Sequence, residues 1–72
     1  MSDEMTWDHR VMRREDGFLE IHEVYYEGEK VSWTENATYP CGETLEEVRL
    51  DLERMLRCLE KPILDYETGK ET

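Results

Sequence analysis

FLEIHEVYYE, from Phe18 to Glu27, is the stretch on which the fold turns. It is rich in aromatic and β-branched residues and holds neither Gly nor Pro, so it reads as a strand. Successive side chains point to opposite faces of a strand. Leu19, Ile21 and Tyr25 therefore share one face, and Phe18, His22, Val24 and Tyr26 share the other. A strand with one solvated face alternates apolar and polar residues more cleanly than this. Both faces ask for cover, which predicts a central strand.

Outward from that strand, turn signals stand on both sides. Upstream, Glu15-Asp16-Gly17 is a turn in which Gly supplies the positive φ of an Asp-Gly hairpin. Before it, Thr6 to Arg14 alternates, with Trp7, His9 and Val11 on one side and Asp8, Arg10 and Met12 on the other. Downstream, Gly28-Glu29-Lys30 is a second turn and Val31 to Tyr39 a third strand, closed by Pro40. Two tight turns in succession predict an antiparallel meander with Phe18–Glu27 in the middle.

A helix follows. Thr44 is the N-cap of a capping box completed by Glu47, and Leu45, Val48, Leu52, Met55, Leu56 and Leu59 fall within an arc of about 100°. That stripe is expected to pack on the sheet. Glu43, Glu46 and Glu47 precede Arg54, Arg57 and Lys61, matching the helix dipole, and Arg49–Glu53 and Glu53–Arg57 are spaced as ion pairs. Pro62 stops the helix. Leu50 lies about 140° from Leu45, on the charged side, which makes it a candidate for partner contact. The fold class expected is α+β, a three-stranded antiparallel meander with one helix packed on it, after which Ile63 to Tyr66 either add a short fourth strand or lie across the domain. Residues 1–72 read as a single domain with Met1 to Met5 as a frayed leader and Glu67 to Thr72 as a loose polar tail.

With 19 acidic and 9 basic residues the net charge is −10. Nucleic acid and anionic membranes both attract basic surfaces, so neither is expected as a direct partner. No stretch has membrane-spanning length, and the N-terminus lacks a secretory pattern. The expected compartment is the cytoplasm, with Cys41 and Cys58 as free thiols. Two cysteines make no disulfide scaffold and have no metal-ligand spacing, and neither a cofactor nor a metal is expected. A core of this size supplies roughly 3–5 kcal/mol, which makes self-association, as a homodimer, an expected support.

Chemistry-bearing residues are sparse. His9 and His22 fall on neighbouring strands, where Glu20 or Asp8 could join them in a metal or acid–base site. Cys41 precedes the helix N-terminus but has no base beside it. Arg10, Arg13 and Arg14 form a small basic patch without interleaved aromatics. Glu20, Glu23, Glu27, Glu29 and Glu35 gather on the second hairpin. Paired carboxylates need a cleft to do acid–base work, so these read as a solvated acidic face or a docking face for a basic protein.

The order strand, Asp16-Gly17 turn, strand, strand and helix, with Gly42-Glu43-Thr44-Leu45-Glu46-Glu47 opening the helix, resembles the N-terminal domain of HicB-type antitoxins. The resemblance covers Val11 to Glu60. It departs from the family where a Pro-Asp-Leu-Pro-Gly-Cys stretch would stand between the second and third strands, and no operator-binding helix-turn-helix or ribbon-helix-helix segment is read. What it implies is a fold and a binding habit, with toxin neutralisation as one form of it. The expected function is a small acidic, non-catalytic binding protein that self-associates or docks a basic protein, with Glu23, Tyr25, Tyr26, Trp33 and Leu50 as contact residues. The alternatives are an enzyme or metal site at His9 and His22, and an acidic nucleic-acid mimic.

Overall fold

The computed structural model describes residues 5–72. Residues 1–4 of the expected leader lie outside the described residues, and Met5 begins the first strand. The elements are β1 (Met5–Arg13), β2 (Leu19–Glu27), β3 (Lys30–Trp33), α1 (Leu45–Cys58) and β4 (Leu64–Asp65). The fold is α+β, with one four-stranded sheet in the order β3-β2-β1-β4.

The meander forms as the turn residues dictate. Gly17 takes φ 90°, its N–H donates to Arg14 O at 2.8 Å, and the Asp16 carboxylate accepts the Phe18 N–H at 3.0 Å. β1 and β2 then pair antiparallel from Met5↔Glu27 to Arg13↔Leu19. β3 pairs antiparallel with β2 only from Lys30 to Trp33. The expected third strand to Tyr39 is cut short because the chain swings at Thr34 to meet His22, whose Nδ1 lies 3.0 Å from Thr34 O. Beyond it the chain keeps only occasional rungs to β2, such as the Thr38 N–H to Ile21 O at 2.9 Å.

The fourth strand changes the sheet type. β4 pairs parallel with β1, Met12↔Leu64 and Arg13↔Asp65. The sheet is therefore mixed, and the antiparallel meander describes only its first three strands. A parallel neighbour requires a crossover, and α1 is that crossover.

Each sheet face has its own cover. Registered residues share a face, so Arg10, Met12, His22 and Val24 lie together. Over them folds the segment after Pro62. Met12, Val24 and Leu64 are buried there, with Tyr26, Trp33 and Tyr66 packed against them. Expected as a loose tail, residues 67–72 fold back instead: the Asp65 N–H donates to Lys70 O and the Thr72 N–H to Ile63 O, and Leu64 bridges Glu71. Gly69 presses on the indole at φ 75°, and a Cβ there would lie 2.5 Å from Trp33 Cζ3.

α1 covers the other face along β1, where His9 and Val11 are buried beneath its inward residues Met55 and Cys58. Its start is capped as expected, with the Glu47 N–H donating to Thr44 Oγ1 at 3.1 Å. The Glu47 carboxylate reaches the N–H of Glu43 at 2.8 Å, one residue before the cap. At the exit, Lys61 pairs with Asp8 at 2.8 Å and an Arg10 Nη2–H donates to Pro62 O at 2.8 Å, fastening the helix end to β1. The roll of the helix is not the expected one. Val48, Asp51, Met55 and Cys58 are its less exposed positions, while Leu45, Leu52, Leu56 and Leu59, expected to pack on the sheet, are exposed.

Gly69→Ala is expected to destabilise the fold by about 1–3 kcal/mol, through the strained φ and the clash with Trp33. Urea unfolding followed by tryptophan emission checks it, with Gly28→Ala, whose Cβ meets nothing within 4 Å, as the comparison.

Candidate functional site

Histidine chemistry is limited by strand register. His9 pairs with Glu23 and His22 with Arg10, so the two imidazoles point to opposite faces of one hairpin. The expected site joining His9 and His22 is thus not assembled. His9 lies under the helix with its ring edge-on to Trp7 at 5.1 Å. His22 is fully buried, bound at Nδ1 by Thr34 and facing Glu20 Oε2 at 3.2 Å through Nε2. Tyr66 tilts over it at 5.3 Å. Among the described residues no three His, Cys, Asp or Glu side chains are grouped to hold a metal ion.

The carboxylates of the second hairpin do not form one face. Glu20 binds Arg14 at 3.2 Å and His22 on one side. Glu23, one residue out of phase with them, takes hydrogen bonds on the other side from the Tyr25 hydroxyl and, at 3.4 Å, from Thr38 Oγ1. Glu27, Glu29 and Glu35 are exposed. The basic patch is likewise divided: Arg10 is half-buried and donates to Tyr26 Oη at 3.1 Å. Arg14 is held by Asp16 and Glu20 above the Phe18 ring.

Expected contact residues fall into two groups. Tyr26 and Trp33 are half-buried against the Met12–Val24–Leu64 core; Trp33 also meets Tyr66 edge-on at 6.3 Å. Tyr25 and Glu23 are half-buried on the helix-side face and bound to each other. Leu50 is exposed. The structure adds a group that the periodicity assigned to the core. Leu45, Leu52, Leu56 and Leu59 fall within about 60° of one another around the helix, and Leu45 is 87% and Leu56 67% exposed. They form an apolar ridge along the outer side of α1. Its signal in the sequence is Leu-Glu repeated at 45–46, 52–53 and 59–60, a seven-residue spacing that ties a charge to each leucine.

Cys41 is exposed and Cys58 buried, both as free thiols. Burial pushes the Cys58 thiol up, against the opposing pull of Lys61 and Arg10. No helix among the described residues is long and apolar enough to cross a membrane. No family model matches the chain, and no curated protein or solved structure matches it. The resemblance to HicB-type antitoxins rests on Asp16-Gly17 and Gly42 to Glu47.

Two titrations check this geometry. In the native state Cys41 is expected to react with a maleimide far faster than Cys58, as mass spectrometry of the labelled peptides would show. Tyr25 is expected to ionise above the ordinary tyrosine range, because its hydrogen bond to Glu23, then burial, then the Glu23 charge disfavour the phenolate. The stability this gives is present while the phenol keeps its proton and is lost as pH rises through the raised value. Glu23→Gln should lower the highest tyrosinate transition in an absorbance titration.

Proposed function

We propose that this chain is a small, acidic, non-catalytic binding protein that docks a second protein through the outer side of α1. The observation that carries the reading is the leucine ridge. A small domain with a modest core leaves four of the five leucines between Leu45 and Leu59 together on one exposed ridge while Met55 and Cys58 face the sheet. Contiguous apolar surface rimmed by charge marks an interaction site. Covering the ridge would contribute on the order of 1 kcal/mol per leucine, before the entropy of association is subtracted.

Leu50, about 140° from Leu45 around the helix, and Tyr25 and Glu23, half-buried on β2 and bonded to each other, lie apart from this ridge, and Tyr26 and Trp33 pack on the opposite sheet face. A net charge of −10 favours a basic protein over an acidic one. The reading agrees with the binding habit that the antitoxin resemblance implies, and it involves no operator DNA. A cytoplasmic setting, where both thiols stay reduced, belongs to the same proposal. A hydrolytic or metal-dependent activity finds less support, since His9 and His22 face apart and Glu20 and Glu23 already serve internal hydrogen bonds.

The test is affinity capture from nuclease-treated native lysate, comparing the natural chain with Leu52→Glu/Leu56→Glu. Both substitutions are at exposed positions, so the circular dichroism of the variant should be unchanged. A protein retained by the natural chain and lost by the variant is the expected result. Equal capture by both overturns the reading. So does a bait that captures nothing and sediments as a monomer.

A further inference from the structure

Around α1 three longitudinal strips follow one another. The first, Val48, Asp51, Met55 and Cys58, turns to the sheet. The second is the leucine ridge. The third is Glu46, Glu53 and Glu60, each the immediate neighbour of a ridge leucine and each exposed. Seven residues make nearly two helical turns, so the leucine and glutamate rows run side by side along the helix. Leu59 caps the helix in helical geometry, and Glu60 follows in the closing turn, so both rows extend through the last turn.

The glutamate row is free to meet a ligand. Helix spacing offers Arg49 and Arg57 to Glu53, but the ion pair closed within α1 is Arg54–Asp51 at 3.7 Å. Among the described residues Glu46, Glu53 and Glu60 close no ion pair. Arg49 stands between the two rows and Arg57 beyond the glutamates, so this border remains acidic by one charge. The carboxylates line the edge of the ridge that faces away from the sheet.

A second copy of the chain fits this border poorly. Laid antiparallel, two such helices bring Glu53 against its own copy and Glu46 against Glu60, so like charges face each other along the seam. Each copy also carries the chain's net charge of −10. The complementary occupant has the opposite rim. We infer that the ridge takes an amphipathic helix of another protein, with an apolar row at heptad spacing bordered by lysine or arginine. The inference rests on the binding reading above and adds the chemistry of the partner. Leucines in the seam supply affinity, and the row of carboxylates selects the charge of the helix and its direction.

Two synthetic three-heptad helices test it, identical in their leucine rows and differing only in a border of Lys or of Glu, with binding read by fluorescence anisotropy. The natural chain should bind the Lys-bordered helix at least about tenfold more tightly than the Glu-bordered one. Glu46→Lys/Glu53→Lys/Glu60→Lys should invert the preference, and Leu52→Gln/Leu56→Gln should weaken binding by about tenfold or more. A preference unchanged in the triple variant, or binding indifferent to the leucine substitutions, overturns the inference, because adherence would then come from the general acidity of the chain. If neither helix binds, the inference falls alone where lysate capture or self-association still depends on the ridge. It falls together with the binding reading where neither does.

Discussion

Two adjacent strands that are apolar on both faces require two covers, and the chain has one helix to offer. This constraint organises the molecule. Met12 and Val24 on one face and Val11 on the other cannot all be buried by α1. The segment after Pro62 therefore turns back beside β1, adds a short parallel strand and lays Tyr66 over His22 and Trp33. The Tyr66 N–H donates to Arg13 O, and the Thr72 and Asp65 N–H groups donate to Ile63 O and Lys70 O, holding it there. A polar sequence is thus ordered by the surface it covers, because the apolar area removed from water beneath it offsets the entropy lost in ordering it.

The position of the helix follows from the same division. Its end is fastened to β1 by Lys61–Asp8 and by Arg10 to Pro62, and the loop before it is tied to the helix by the Cys41 N–H donating to the Asp51 carboxylate at 3.2 Å. The sheet-side edge of the apolar stripe, Val48 and Met55, is turned inward, and the leucines are turned out. The exposed leucine ridge is what remains of a core stripe once one half of it suffices for the fold.

This arrangement separates the groups that could have made a reactive site. One hairpin carries both histidines and the carboxylates Glu20 and Glu23, but His22 and Glu20 lie on one face and His9 and Glu23 on the other. Each histidine is spent on a different core. His22 anchors Thr34 and so ends β3, and His9 packs beside Trp7 below the helix. What the outer side of α1 keeps is a leucine ridge and its charged border.

Local chemistry made much of the architecture legible. Thr44 with Glu47, Pro62 and the 3.6-residue period set the bounds of α1. Asp16-Gly17 and Gly28 set two hairpins, since a turn depends on backbone angles that a few residues control. The doubly apolar β2 announced a central strand in need of two covers. Strand alternation already placed His9 and Trp7 together on one face. The parallel pairing of β4, the early end of β3, the ordering of residues 67–72 and the roll of α1 were decided only by the tertiary structure. Each depends on which distant surfaces meet: Leu64 on Met12, Thr34 on His22, Gly69 on Trp33, Met55 over β1. An apolar stripe about 100° wide is wide enough for either edge to face a sheet. Its period defines a helix, and only the neighbours that pack against it decide which leucines become core and which become surface.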